Sequence, residues 1–270
     1  MGQFRLPILC ALLVVLLAAC SASAPREYGV TQIQDQARHY YNWAEQLRLQ
    51  TAYTEADKKY KKAYALFAAR NDVKWMINSV LKRALMAIQR QDLPLAEQLL
   101  SQATKMAEYE SASSLQAVKF VAAQLAHAQG DNEQAVQLLG QITLSHQADS
   151  EPYWYYLTQQ WKIAPESVAS ADIARGVDWL VERYKLKQLE QIEILMFTLN
   201  TYCQFMIEQK QDSDKLADYL SRLIAIYANY EMTSKLQLTF AMTARYYQQI
   251  GDNQKAAYYR QKIVMMTSEL

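Results

Sequence analysis

The chain has 270 residues, of which 28 are Lys or Arg and 27 are Asp or Glu. This balance excludes a general electrostatic attraction to nucleic acid or to an anionic membrane surface, since both require a basic excess or a basic stripe. Gly and Pro are scarce, with 6 and 5 residues in the whole chain, while Ala, Leu, Gln, Glu and Lys are abundant. Because these abundant residues lose least on entering a helix, the composition predicts an all-α body.

The first predicted element is a targeting segment. An apolar run over Leu6–Ala19 follows Arg5; it is too short to cross a bilayer as a stable helix and is typical of a secretory signal peptide. The run ends in Leu-Ala-Ala-Cys, residues 17–20. Two alternatives stay open at this point, an ordinary signal peptide with a chance cysteine and an uncleaved anchor.

The Leu-Ala-Ala-Cys sequence resembles the lipobox of bacterial lipoproteins. The resemblance implies removal of residues 1–19 and acylation of Cys20 with palmitate-like chains, and two or more such chains hold a protein durably on a membrane. Ser21, rather than Asp, follows the cysteine, which in the family favours the outer membrane, facing the periplasm. Residues 20–30 carry small and helix-breaking residues and are predicted to be a flexible tether between the lipid and the fold.

Helical periodicity then runs from Thr31 almost to Leu270. Apolar residues recur every three or four positions, and the interruptions are short, so we predict about twelve helices with antiparallel neighbours. The interruptions fall near Thr51, Asn71, Asp92, Glu110, Gly130, Ser145 to Glu151, Pro165, Lys187, Lys210, Glu231 and Gly251.

Two of these breaks have nearly the same sequence, at residues 123–135 and 244–256. In each, a Gly-Asp pair lies between the helices and an Ala follows it. Gly can adopt the left-handed conformation that closes a helix, Asp can cap the next helix, and Ala allows close approach. This pattern resembles the tetratricopeptide (TPR) repeat and implies an α-solenoid of about six antiparallel helix hairpins over residues 31–270. The matching residues are Tyr40, Ala44, Leu47, Ala56, Tyr60, Ala63, Ala84, Ala87, Ala96, Leu100, Ala103, Ala123, Gly130, Ala135, Leu139, Tyr247, Gly251 and Ala256.

The spacing departs from the family. Small residues that follow the turns recur at Ala56, Ala96, Ala135, Gly176, Ala217 and Ala256, about 40 residues apart, whereas family repeats have about 34. We therefore expect longer helices than usual, and the match is weak around Gly176 and Ala217. An irregular α bundle is the alternative fold.

No catalytic or metal-binding pattern is present in the sequence. The three histidines are far apart, there is no nucleophile elbow, and no glycine-rich phosphate loop occurs. Once Cys10 is removed with the signal peptide and Cys20 is acylated, Cys203 is the one remaining thiol, and its apolar surroundings predict a core position. The chain is therefore predicted to be neither an enzyme nor a cofactor-binding protein.

Tyrosine is unusually abundant, with 19 residues. Adjacent aromatic residues on a helix point about 100° apart, so a run of them cannot all lie in the core. The run from Tyr153 to Tyr156 follows Glu151-Pro152, a helix-start signal. It gives an aromatic surface candidate formed by Tyr153, Trp154 and Tyr156. The alternative is that the tyrosines fill the layers between helices, with their hydroxyls at the rim. A second feature is the lysine-rich run over residues 57–62, which we expect to be solvated because Glu55 and Asp57 dilute its charge.

The TPR resemblance also implies a binding face. In that family the first helix of each hairpin lines a groove. Transferring the groove positions to this chain gives a candidate protein-binding set, and the last hairpin contributes Arg245 and Gln248 to it. An apolar strip formed by Tyr41, Leu81 and Phe120 is expected at the centre of this set as an anchor for a partner. The alternative is that these apolar residues close the superhelix more tightly. The candidates are Arg38, Tyr41, Arg48, Asn78, Leu81, Phe120, Gln124 and His127.

These patterns together predict a membrane-anchored lipoprotein that acts as a protein-binding scaffold or adaptor for an envelope assembly or secretion machine. Its expected partners are a protein of that complex and the membrane, through the lipid anchor, without nucleic acid. The alternative is a glycan- or cell-wall-binding lipoprotein that uses the aromatic clusters. An envelope hydrolase is a third class, but it requires a polar pocket that the sequence does not supply.

Overall fold

The computed structural model describes residues 30–50, 52–211 and 215–268. Over this part of the chain it contains twelve α-helices, one 3-10 helix and no strand. The predicted signal peptide and Cys20 lie outside the described residues. The helices are α1 Val30–Leu49, α2 Tyr53–Ala69, α3 Val73–Gln89, α4 Leu93–Ala107, α5 Ala112–Ala128, α6 Asn132–Leu144, α7 Glu151–Ile163, α8 Ser170–Lys185, α9 Ile192–Glu208, α10 Leu216–Asn229, α11 Thr233–Gln249 and α12 Asn253–Ser268, with the 3-10 helix at Pro165–Ser167.

The all-α prediction and the count of about twelve helices are confirmed. Consecutive helices pack as the hairpins α1/α2, α5/α6, α7/α8, α9/α10 and α11/α12, and α3 and α4 stand second in the chain order of helix pairs. Five of the six odd-numbered helices have 17 or more residues, which accounts for the long repeat. No described helix has both the length and the apolar character needed to cross a membrane.

One turn motif recurs between the helices. At Asn71, Gln91, Lys187, Lys210 and Glu231 a non-glycine residue has a positive φ of 53–61°, and Gly130 and Gly251 have φ values of 88° and 82°. At each, the left-handed residue and the one after it donate their N–H groups back to carbonyls of the preceding helix, as Gly130 N does to His127 O at 3.0 Å and Asp131 N to Ala126 O at 2.9 Å. This is the Schellman closure of a helix, and it lies at breaks that the sequence predicts.

Asp residues start the next helix at several of these turns. Asp92, Asp131 and Asp252 each accept a hydrogen bond from the backbone N–H three residues later, at 3.3, 2.9 and 3.0 Å. Each carboxylate satisfies a donor that has no partner inside the helix. The predicted roles of Gly and Asp in the repeated turn are thereby confirmed.

The chain divides into two compact bodies at Met86, within α3. The N-terminal body has a core in which small alanines alternate with large rings. Tyr60 and Phe67 are fully buried there, and Tyr41 packs edge-on against Tyr60, with ring centroids 5.4 Å apart. The cluster consists of Ala37, Tyr41, Ala44, Ala56, Tyr60, Ala63, Phe67 and Met86.

The C-terminal body, from Ala87 onwards, has a larger core centred on α7 to α10. Cys203 is fully buried within it, and burial raises the pKa of its thiol, in agreement with the predicted core position. Ala96, Ala135 and Ala256 are also buried, so the small residues that follow the turns do lie at helix contacts.

Gly176 explains why the fourth hairpin matches the family poorly. The ring of Trp154, which is fully buried, occupies the space beside it. A Cβ atom on Gly176 would lie only 2.5 Å from Trp154 Cε3. A tryptophan on α7 thus fills the contact that an alanine side chain makes in other hairpins, and only glycine leaves room for it.

Candidate functional site

A row of aromatic rings connects three odd-numbered helices of the C-terminal body. Phe120 on α5 lies 5.9 Å from Tyr155 and 5.7 Å from Tyr156 on α7, measured between ring centroids. Tyr155 in turn lies 5.3 Å from Phe197 on α9. All four side chains are half-buried. We call Phe120, Tyr155, Tyr156 and Phe197 the aromatic strip.

Local sequence sets the position of the strip on α7. Ser150 caps this helix by accepting a hydrogen bond from Tyr153 N at 3.4 Å, and Pro152 occupies its first turn. Because successive residues of a helix are rotated by about 100°, Trp154 is fully buried in the core, whereas Tyr155 and Tyr156 are half-buried at its edge. The helix therefore buries one ring and presents the next two to α5 and α9.

A cleft of about 440 Å³ adjoins the strip between α9 and α11. On α9, Asn200 lines the end of the cleft that is nearest in sequence to Phe197, one turn after it. On α11, the cleft is lined by Leu238, which is 66% exposed. The cleft combines an apolar floor with amide and charged groups. Its lining residues are Asn200, Gln204, Ile207, Glu208, Lys235, Leu238, Ala241, Met242 and Arg245. We call the strip and the cleft together the odd-helix surface.

The polar groups of this surface favour binding of acceptor atoms. Lys235 and Arg245 are exposed, and no carboxylate of the described residues forms an ion pair with either. Gln124, one turn from Phe120, has a buried Nε2 atom that finds no hydrogen-bond partner among the described residues. The two exposed cations supply donors to a ligand, such as a peptide with its backbone carbonyls and carboxylates.

The face of Tyr156 is covered by His146. Their ring centroids are 5.4 Å apart and the planes are inclined by 17°. Burial raises the pKa of Tyr156, so its phenol is neutral and can donate a hydrogen bond. The rings of the strip also contact one another in tilted or edge-on arrangements. The rings of the strip are therefore packed against one another, and His146 stacks on Tyr156.

Two predicted sites come together here. The sequence predicts Phe120 in a groove and Tyr156 on an aromatic surface, and the structure joins both residues in one strip. Trp154 corrects the second prediction, because it is fully buried and is therefore not a surface residue. Tyr153 is half-buried and packs edge-on against Trp154, at 5.0 Å between centroids.

His127 lies at the end of α5 and is exposed. Its Nδ1 atom lies 2.7 Å from Asn132 Oδ1, across the turn to α6. This contact holds the ring at the turn. Of the predicted C-terminal set, Phe120 in the strip and Arg245 in the cleft therefore have positions that suit a binding surface best.

In the N-terminal body the predicted residues lie on α1 and α3. Arg38 is exposed, with its guanidinium 6.0 Å from the centre of the Trp75 ring. Tyr41 and Leu81 are 9% and 4% exposed, so a partner could touch little of either side chain. Asn78 is half-buried.

Arg48, the remaining predicted residue, is engaged within the N-terminal body. Its Nη2 atom lies 2.8 Å from Glu45, which also accepts a hydrogen bond from the hydroxyl of Tyr60 and lies 3.2 Å from Lys82 Nζ. Burial alone would raise the pKa of Glu45, but Lys82, Tyr60 and Arg48 together lower it. These residues form a polar network between helices.

Tyr41 and Leu81 belong to the N-terminal body and Phe120 to the C-terminal body, so the apolar strip predicted to connect them stays a prediction. Phe197, Asn200 and Lys235 are not among the site residues predicted from the sequence. Phe197 lies in a helix that is apolar on most sides, which conceals its orientation. Asn200, an amide within that apolar run, indicates in the sequence which side of the helix faces solvent.

Among the described residues no group of three or more His, Cys, Asp or Glu side chains is arranged to hold a metal ion. The surface is thus defined by rings, amides and cations on a helical-hairpin scaffold. The class of protein that this fold defines is a TPR-like α-solenoid.

Comparison with solved structures supports that class. A kinesin-light-chain-like protein of Podosopora anserina with nearly identical TPR-like repeats matches with a TM-score of 0.52 and 17% identity, over 72% of this chain and 95% of that one. BtubC (BKLC) from P. vanneervenii matches with a TM-score of 0.57 and 16% identity, over 88% of this chain and 91% of that one. At such low identity these similarities show the fold alone. No protein-family model and no curated protein matches the sequence.

Proposed function

We propose that the chain is a non-catalytic scaffold that binds a protein partner on its odd-helix surface. The observation that carries this proposal is the continuity of the surface, in which rings from α5, α7 and α9 meet and lead into the cleft between α9 and α11. An apolar centre with a polar rim is the usual construction of a protein interface. The TPR-like fold is compatible with such a role.

The bound segment would place apolar side chains along the strip and acceptor groups near Lys235 and Arg245. Aromatic residues and Arg are enriched among residues that dominate binding energy. A glycan would be held differently, by stacking on open aromatic faces, and the rings of the strip are covered by one another and by His146. The surface therefore favours a peptide over the glycan alternative.

Site-specific photocrosslinking tests this surface. A crosslinker at Leu238 in the cleft should capture a defined protein in intact cells, whereas one at Ala225, exposed on α10, should not. Arg245→Glu should abolish capture, because it replaces a donor with a repelling carboxylate. Lys105→Glu, the same charge change at an exposed position on α4, is the matched control. Equal capture from Leu238 and Ala225, or capture unaffected by Arg245→Glu, would refute the proposal.

We further propose that the scaffold is held on an envelope membrane by acyl chains on Cys20, on the periplasmic face of the outer membrane. Support comes from the Leu-Ala-Ala-Cys sequence and from the near-zero net charge, which leaves the lipid as the durable anchor. Radiolabelled palmitate should enter the wild-type protein and not Cys20→Ser. Label in the variant, or its absence from the wild type, would refute this assignment, and membrane fractionation tests the outer-membrane location.

A further inference from the structure

We infer that the N-terminal hairpin rests on the bilayer surface through a patch of aromatic and lysine side chains on α1 and α2. This inference rests on the lipid anchor proposed above, which would bring the hairpin to a membrane. We call the five residues that form the surface the interfacial patch. They are His39, Tyr40, Trp43, Lys59 and Lys62.

The patch has a defined geometry within the N-terminal body. Tyr40 and Trp43 lie one turn apart on α1, with ring planes inclined by 9° and centroids 6.4 Å apart. His39 lies 5.9 Å from Trp43. Trp43 is 40% exposed, as is Ile33 two turns before Tyr40 on the same side of the helix. Large apolar rings are thus left at the surface at the start of the fold.

Two lysines of α2 lie over these rings. Lys59 Nζ is 3.4 Å from the centre of the Trp43 ring, and Lys62 Nζ is 5.4 Å from that of Tyr40. The other lysines of the same run are neutralised locally, since Lys58 pairs with Glu55 at 2.6 Å and Lys61 with Asp57 at 2.7 Å. Glu55 also experiences the charge of Lys59, but its ion pair is with Lys58.

The structure thus divides the lysine run that the sequence treats as one diluted group. Neither Lys59 nor Lys62 forms an ion pair with a described carboxylate. Their charges, unlike those of Lys58 and Lys61, remain available for an anionic surface. Both are directed to the side of the hairpin that carries the exposed rings.

This combination fits the membrane–water interface. Trp and Tyr prefer the headgroup level, where the ring is partly desolvated and its polar atom stays hydrated, while Lys extends its ammonium group to phosphates. Reach is also sufficient. About ten residues separate Cys20 from Val30, and a chain of that length spans at most about 35 Å. The patch lies a further ~20 Å along α1, so an acylated chain can lay this hairpin on the bilayer.

Vesicle binding by unacylated protein tests the patch apart from the anchor. Residues 20–270 carrying Cys20→Ser should bind vesicles of phosphatidylethanolamine and phosphatidylglycerol, and bind phosphatidylcholine vesicles more weakly. Each lysine near an anionic surface is worth about a fivefold change in affinity. Lys59→Glu with Lys62→Glu should therefore weaken binding at least about 25-fold, and Trp43→Ala should weaken it about tenfold through lost apolar burial.

The last helix supplies a matched control. Lys262 Nζ lies 5.3 Å from the centre of the Tyr258 ring, and Tyr258 is 52% exposed. Tyr258→Ala with Lys262→Glu should leave vesicle binding unchanged, and circular dichroism should show that all variants are folded. If Trp43→Ala does not fold, the doubly substituted lysine variant decides the question.

Absence of binding by the unacylated protein would overturn the inference, and so would binding that resists substitution of the patch. A change of oligomeric state on Trp43→Ala, with vesicle affinity unchanged, would assign the patch to contacts between copies and would also overturn it. Palmitate labelling of the wild type reports separately on the anchor, so failure of the anchor and failure of the docking surface are distinguishable.

Discussion

Replacing Gly176 by alanine tests the packing of the fourth hairpin. The new Cβ would lie 2.5 Å from Trp154 Cε3 and 2.8 Å from Cδ2, distances that require either the ring or the helix to move. Trp154 is fully buried, so movement disrupts a closely packed core and costs about 1–3 kcal/mol. Alanine offsets part of this loss, because glycine inside a helix is less stable by about 0.5–1 kcal/mol. The two effects together give a net loss of about 0–2.5 kcal/mol, with a central value of about 1 kcal/mol.

Gly140→Ala is the matched control. Gly140 also lies inside a helix, α6, but a Cβ there would meet only Gln160 Oε1 at 3.7 Å, an ordinary contact. This variant should be more stable by about 0.5–1 kcal/mol. The two substitutions should shift stability in opposite directions in urea unfolding and in thermal unfolding. In the thermal experiment 1 kcal/mol corresponds to a change in melting temperature of about 2–4 °C. Equal stabilisation by both would refute the close contact between Gly176 and Trp154.

Three further outcomes are expected. Gly130→Val should cost about 1–2 kcal/mol in urea unfolding, purely through the backbone, because Gly130 has a φ of 88° and its Cβ would contact nothing within 4 Å; an unchanged midpoint contradicts this. The pKa of Glu45 is lowered in the folded protein. The ionised carboxylate therefore stabilises the fold fully above the pKa of the unfolded state, about 4.3, and this contribution is lost as the pH falls through the pKa of the folded state. The stability difference between wild type and Glu45→Gln should shrink on acidification, and a constant difference would exclude the network. Tyr41→Ala should destabilise by about 3–5 kcal/mol, as calorimetry can check, and a neutral effect would return Tyr41 to the predicted groove.

Local sequence was sufficient to predict the turns. A left-handed residue followed by Asp ends one helix and caps the next within a few residues, as at Gly130 and Gly251. The same is true of helix length, since an apolar period is a property of the helix itself. The helix breaks and the hairpin order could therefore be read without knowledge of tertiary contacts.

Contacts between distant segments could not be predicted in this way. Glu151, predicted as part of a helix start, is 9% exposed and accepts hydrogen bonds from the backbone N–H groups of Glu190 and Gln191, at 2.7 and 2.8 Å. It thereby caps the region where α9 begins. Nothing near Glu151 in the sequence identifies donors about 40 residues away, and the direction of Trp154 depends equally on a distant glycine.

The aromatic strip illustrates the same limit at the candidate site. The presence of surface aromatic residues on α7 followed from the run itself, because four consecutive rings cannot share one side of a helix. The orientation of these rings depends on Gly176. This glycine leaves room for Trp154, and the burial of Trp154 sets the rotation of α7 about its axis. Phe197 could be assigned only once α7 and α9 were known to be in contact.

The weakest match to the repeat pattern and the strongest candidate surface have the same structural origin. In the fourth hairpin α7 has only 13 residues, and Trp154 fills the space that small residues occupy elsewhere. With Trp154 directed into the core, Tyr155 and Tyr156 lie on the side of α7 that faces α5 and α9. There they contact Phe120 and Phe197. With alanine at the positions of Trp154 and Gly176, the buried tryptophan that orients α7 would be absent, and these rings would not be held on that side. Departures from a local rule concentrate where a protein has functional requirements, and this departure produces the surface on which we propose that the partner binds.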